Sequence, residues 1–300
     1  MAGVGTPIRA SDYNAIQTTI SNVLGAGSSN VGYGQTVTSN SVSVGGKIQA
    51  SDWINLRNDL LAARQHQTGV NESGNLPVLT TNTLVREADR ATYYNYAQAI
   101  LSSVNATPPA GQATLTTFSS STRTTAWNGT VTHTVTLQFP NYNAARWYFN
   151  SGGNVQFSAS LTNYPQDGSY QKSNDWATLL TNMGTITMNL NSTVTSGSGT
   201  AAGSIGFYQL NTNFQTLFTR ATTSPTYSPN QYDIYAKVDG TGSIITYSIQ
   251  FQDQSGQPNP PWGVDENVEG TLVSNVQGYY ASGSNVSVTN YLPSVTSTGP

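Results

Sequence analysis

The sequence predicts a mainly β chain with α: an N-terminal helical-repeat module over residues 1–106, then an antiparallel β-sandwich over 112–300 with short helical insertions. Three observations predict it. One helix-start pattern recurs before Pro108. Runs of β-branched and aromatic residues dominate beyond about residue 112. Gly, Asn and Asp punctuate those runs at turn positions.

The first helix start reads Ile8-Arg9-Ala10-Ser11-Asp12-Tyr13, the second Ile48-Gln49-Ala50-Ser51-Asp52-Trp53, and a third Val85-Arg86-Glu87-Ala88-Asp89-Arg90. An apolar ladder follows each in register. Tyr13, Ile16, Ile20 and Val23 correspond to Trp53, Leu56, Leu60 and Ala63, then to Arg90, Tyr93, Ala97 and Ile100. Spacings of three and four place each set on one helix stripe. Ser11 and Ser51 are placed to cap the first free N–H groups, and Asp12 and Asp52 complement the positive dipole end. Gly25 and Gly69 stop the first two helices, and Pro108-Pro109 closes off the third. Between the first two, "VGYGQTVTSNSVSVGGK" alternates like a short strand pair with Gly at its turns. Helices this short are not stable alone. Their stripes must pack on each other, on the sheet domain or on another subunit. Tyr13, Ile16, Ile20, Trp53, Leu56, Leu60, Tyr93 and Ile100 are therefore candidate docking residues, with a plain three-helix core as the equal alternative.

Strand-like runs follow at "GTVTHTVTLQF", "NVQFSASL", "GTITMNLNSTV", "AAGSIGFYQL", "QYDIYAKV", "SIITYSIQFQ" and "VSNVQGYYA". Asp239-Gly240-Thr241-Gly242 joins two of them as a hairpin. Two interruptions read as helices: "NYNAARWYFNSGG", stopped at Gly152-Gly153, and "SNDWATLLTNMG", capped by Ser or Asn and stopped at Gly184. The tail "NYLPSVTSTGP" is an exposed end or a last edge strand. A chain of this pattern lets the 112–300 portion fold without residues 1–106.

Charged residues make up only 8% of the chain, far below the roughly 25% of ordinary soluble domains. With net charge −3 and no basic run, nothing offers to neutralise a row of phosphates, so nucleic acid is not an expected partner. There are no cysteines, and no apolar stretch has the length of a membrane span. The start carries no basic segment with an apolar core, so no secretory leader is expected. The two histidines, His66 and His133, have no second ligand at metal spacing; His66 suits a helix C-terminus as a cation. Asp265, Glu266 and Glu269 form the densest acidic group, read as a solvated loop or an ion site rather than a glycosidase pair. "GSGTAAGSIG" lacks the Lys of a phosphate loop, and no Ser sits in G-x-S-x-G. No catalytic residue and no cofactor is expected. Tyr279, Tyr280 and Tyr291 are candidates for an exposed aromatic surface; rings of this kind first cap the core with a polar tip outward, next anchor a protein interface, and only third stack on sugars.

Two segments carry a resemblance. "ASDYNAIQ" and "ASDWINLRNDLLAARQHQTG", with "VGYGQ" between them, resemble the amino-terminal segments of virion structural proteins of tailed phages, those of contractile-tailed cyanophages related to the T4 group above all. "AARWYFNSGGNVQFSAS" resembles a motif of the β-rich parts of the same proteins. The resemblance covers about a third of the chain. It implies a tail, neck, baseplate or fibre component with no catalytic residues, assembled in the host cytoplasm into the virion. Its partners would be other virion proteins and further copies of itself, three as a first guess, with a host surface glycan as the alternative. In the matched segment Val155, Phe157 and Ala159 would enter the core. The third helix start departs from the other two, with Arg90 in place of the aromatic.

Overall fold

The computed structural model describes residues 8–81, 83–165, 171–225, 227–255 and 267–300, and the backbone alone at 258–259 and 264–265. The described residues are mixed α/β, with five α-helices and two larger antiparallel sheets of five and six strands. They fall into two compact units. Unit 1 takes 1–114, 143–153 and 280–292; unit 2 takes 115–142, 154–279 and 293–300. The expected division at 106–112 follows chain order. The compact units add two distant segments to the N-terminal part.

Unit 1 holds α1 (Ala10–Leu24), α2 (Ala50–Thr68), α3 (Glu87–Ser102) and all but the first residue of α4 (Tyr142–Asn150). Helices α1, α2 and α3 run parallel. Near their starts, Tyr13 meets Trp53 edge-on at 5.3 Å between ring centroids, and Trp53 meets Tyr93 at 5.2 Å. Near their ends, Gln67 donates to the carbonyl of Ile100, and Tyr33 joins Val23 of α1 to Val104 just beyond α3. Short links make neighbouring helices antiparallel. Here two extended arms, 25–49 and 69–86, return the chain to the same end each time.

The first arm pairs with no strand, contrary to the expected strand pair. It lies along α1 and α2 and is held by their side chains. Asn14 accepts from the Val42 N–H and donates to its carbonyl, while Gln17 donates to the Ser39 carbonyl. The buried Asp59 carboxylate accepts from the N–H groups of Thr38 and Ser39 and from the Thr38 hydroxyl. The second arm is held between α2 and α3: Arg57 donates to the carbonyls of Ser73 and Leu76, and Tyr93 to that of Pro77.

Unit 2 carries the sheets. The strands are β1 (Ala113–Arg123), β2 (Gly129–Gln138), β3 (Asn154–Thr162), β4 (Ile186–Met188), β5 (Thr193–Thr195), β6 (Thr200–Ala201), β7 (Gln215–Ala221), β8 (Gln231–Val238) and β9 (Ile244–Asp253). After these come β10 (Pro258–Asn259), β11 (Val264–Asp265), β12 (Thr271–Ala281) and β13 (Ser294–Thr298). One sheet has the order β1-β12-β3-β4-β5 and the other β13-β2-β9-β8-β7-β6; β10 and β11 pair separately. Helix α5 (Gln171–Met183) packs on β3. Alternate residues of β9 (Ile245, Tyr247, Ile249, Phe251) are buried. The two sheets share this core. Phe157 of β3 lies edge-on to Tyr247 of β9 at 5.0 Å, and His133 of β2 hydrogen-bonds Ser119 of β1 and Ser274 of β12.

Several strand expectations shift. "AAGSIGFYQL" gives only the short β6 and a 3-10 turn, whose Phe207 and Tyr208 N–H groups donate to the carbonyls of Asn189 and Leu190. Strand β1 was not legible, being an edge strand with Ser119 as its one buried residue. Nor was β7, where a register shift between Thr216 and Phe218 buries both Leu217 and Phe218 and breaks the alternation. Ser173 and Asn174 lie inside α5 rather than at its cap, and the Ser173 hydroxyl accepts from the Glu269 N–H.

Candidate functional site

The three repeated helix starts share one geometry in unit 1. Arg9, Gln49 and Arg86 have extended backbone at the cap position. Their N–H groups donate to the carboxylates of Asp12, Asp52 and Asp89 at 2.9, 2.7 and 2.9 Å. The repeated aspartate thus closes each start from the third helical position, adding negative charge to the positive dipole end. Ser11 and Ser51, expected as caps, are the second helical residues, inside the first turn. Gly69 is left-handed as expected (φ 72°), whereas Gly25 is extended (φ −77°).

All eight candidate docking residues are internal to unit 1. Tyr13, Ile16, Ile20, Leu56, Leu60, Tyr93 and Ile100 have no exposed surface, and Trp53 has 2%. They form the core between the three helices, which leaves no stripe for another subunit. Arg90, the misfit of the third copy, is buried beside Glu87, to which it gives two hydrogen bonds. Tyr93, one turn later, supplies the ring that meets Trp53. The apolar side chains that unit 1 exposes most lie on the arms, Val44 at 97%, Leu84 at 78% and Val78 at 61%, while Ile54 of α2 and Tyr94 and Leu101 of α3 are exposed to a lesser degree. An open cleft of about 770 Å³ separates the head of α2 (Lys47–Ser51 and Trp53) from Leu79–Thr81, Thr83 and Val85.

A second constellation ties the added segments to the turn after α1. Arg146 donates from Nε to the Ser29 carbonyl and from Nη2 to that of Val31, at 3.0 and 3.1 Å. Asn150 donates to the carbonyls of Ser29 and Gly32, and the Trp147 indole to that of Ala26. Tyr291 stacks obliquely on Trp147 at 4.7 Å and donates to the Gly34 carbonyl. Gln35 exchanges hydrogen bonds with the backbone of Ser287. Side chains from α4 and from 280–292 thereby satisfy a loop that has no partner strand. Of the three tyrosines expected on an aromatic surface, Tyr291 is committed here, and Tyr279 and Tyr280 are half-buried. Sequence reasoning singled out "VGYGQ" and "ARWYFNSGG" but not that they meet.

Both histidines are buried. His66 shares a hydrogen bond with the Ser151 carbonyl through Nε2 at 3.0 Å, which makes Nε2 the protonated nitrogen. Burial pulls its pKa down to about 4 against that bond, so it is a neutral core residue and not a cation at a helix end. Burial pulls His133 down to about 4 as well. Among the described residues no group of three or more His, Cys, Asp or Glu could hold a metal ion, and no helix is long and apolar enough to cross a membrane. Asp239 accepts from the N–H groups of Ser243 and Ile244, as its hairpin turn requires. Of the acidic group Asp265, Glu266 and Glu269, the side chain of Asp265 and all of Glu266 lie outside the described residues.

Comparison with family models, with curated proteins and with solved structures finds no match for this chain.

Proposed function

We propose that the chain is a non-enzymatic structural protein of a tailed-phage virion, a tail, neck, baseplate or fibre component assembled in the host cytoplasm. Its fold in this reading is a module of three arm-plus-helix repeats with a two-sheet β-sandwich. The observation that carries the reading is the junction of Arg146, Trp147 and Asn150 with the loop from Ala26 to Gly32. Two of these bonds, Arg146 to Val31 and Asn150 to Gly32, join "VGYGQ" to "AARWYFNSGG", stretches far apart in the chain that both resemble virion proteins. Low charge and a Thr/Asn-rich surface support a subunit whose stability is completed by assembly. Since the helix stripes are internal, docking in this reading uses the most exposed apolar residues of the arms, Val44, Val78 and Leu84. Assembly as a homotrimer belongs to this reading and is checked by light scattering. The deciding experiment is gold labelling of purified particles with an antibody to the chain. Labelling at one station supports the proposal; no label, with the chain missing from particle proteins, overturns it.

One observation favours the alternative, a receptor- or glycan-binding fibre. On β8 and β9, Gln231, Tyr235 and Gln252 all donate to Asp233 Oδ2, while its Oδ1 is buried without a partner. The buried carboxylate holds the half-buried Gln231, Tyr235 and Gln252 in place, and amides and a phenol so arranged suit sugar hydroxyls. Glycan-array binding that is lost in Asp233→Asn would favour this reading.

A further inference from the structure

In unit 2 the ammonium of Lys172 lies 3.0 Å from Oδ2 of Asp253, and neither side chain has any exposed surface. Lys172 is the second residue of α5, where the helix dipole opposes a positive charge. Asp253 ends β9, its other oxygen accepting from the Ser255 hydroxyl at 3.2 Å. The Tyr227 ring stands 5.8 Å from the ammonium. Charges this far from water are held at the expense of their hydration. Moving one proton across the pair turns it into an amine and a carboxylic acid, the two neutral groups from which an amide forms.

We propose that Lys172 and Asp253 are the site of an intrachain isopeptide cross-link. The Lys172 nitrogen bonds to the Asp253 side-chain carbonyl carbon and gives up two protons. The bond from that carbon to Oδ2 breaks, and Oδ2 leaves with those two protons as water. Oδ1 stays as the amide oxygen, held by the Ser255 hydroxyl. No oxidant or further reactant enters. The product ties α5 to the end of β9 and removes two buried charges at once. The loop it closes runs from residue 172 to residue 253, about half of unit 2, so it limits the unfolded chain strongly.

The test is the intact mass of the purified full-length protein, with a proteolytic map. The expected mass is one water below that of the sequence, with a branched peptide joining the segments around residues 172 and 253. Lys172→Arg, which keeps the cation but cannot form this amide, is expected at full sequence mass. Asp253→Asn is expected to lose one ammonia instead. Full sequence mass with only linear peptides from the unaltered chain overturns the proposal. So does a water loss that persists in Lys172→Arg, which would place the dehydration elsewhere.

Discussion

The indole of Trp147 stands where a side chain on Gly34 would have to be: a Cβ built there falls 2.4 Å from Trp147 Cδ2, on a backbone with φ of +71°. Gly34 serves the contact twice, by its positive φ and by its missing side chain. Gly34→Ala is expected to destabilise unit 1 by about 2 kcal/mol or more, from backbone strain and displacement of the ring together. Thermal unfolding read by Trp fluorescence checks this. An unchanged transition would mean the indole is free to move aside.

Asp59 is a single residue on which an arm depends. Asp59→Ala leaves the N–H groups of Thr38 and Ser39 without their acceptor. Thr38 is exposed and can turn to water, so with about 1–3 kcal/mol for the buried Ser39 group left unpaired the expected loss is roughly 1–3 kcal/mol. Limited proteolysis should then cut between residues 35 and 48, and should leave the unaltered protein uncut there under the same conditions.

Trp53 sits between Tyr13 and Tyr93. Trp53→Ala is expected to cost about 3–5 kcal/mol of unit 1 stability. Because the residue is internal, the loss should appear in the isolated protein by denaturant titration, with no partner present. A change in assembly with normal stability would return Trp53 to the role of a docking residue.

A fragment of residues 112–300 keeps segments 143–153 and 280–292 but lacks the loop and helices they pack with in unit 1. Arg146, Trp147 and Asn150 would lose their partners. The fragment is expected to bind hydrophobic dyes and to self-associate, and to recover when mixed with residues 1–111. Gel filtration of the fragment alone and of the mixture checks this. A monomeric fragment with cooperative melting would restore the simple division along the chain.

His66 and His133 stay neutral when folded, each with a pKa pulled down to about 4 from an ordinary value near 6.5. Below about pH 6.5 the unfolded chain binds more protons, so stability falls as pH drops from about 6.5 to about 4 and then levels as far as these groups go. At about 1.4 kcal/mol per pH unit, the buried His66 contributes on the order of 3 kcal/mol. Melting temperatures from pH 8 to 4 should fall within that window. His66→Gln should flatten part of the slope.

What the sequence determined by itself was local. The Asp12, Asp52 and Asp89 starts, the stripes behind them, the Asp239 hairpin and the stops at Gly69, Gly152 and Gly184 all rest on contacts within a few residues, where spacing in the chain is spacing in space. The tertiary structure decided what lies between distant segments. Alternation along 31–47 looked like a strand pair, yet Asn14, Gln17 and Asp59 supply the partners that a second strand would have. The stripes looked free to dock, yet two long arms turn the helices parallel and let Tyr13, Trp53 and Tyr93 close on each other. Arg146 with Ser29, Lys172 with Asp253 and His133 with Ser274 carry no mark in the local pattern. Each exists because the fold removes water from a polar group and must then return a partner to it, and which partner arrives depends on the path of the whole chain.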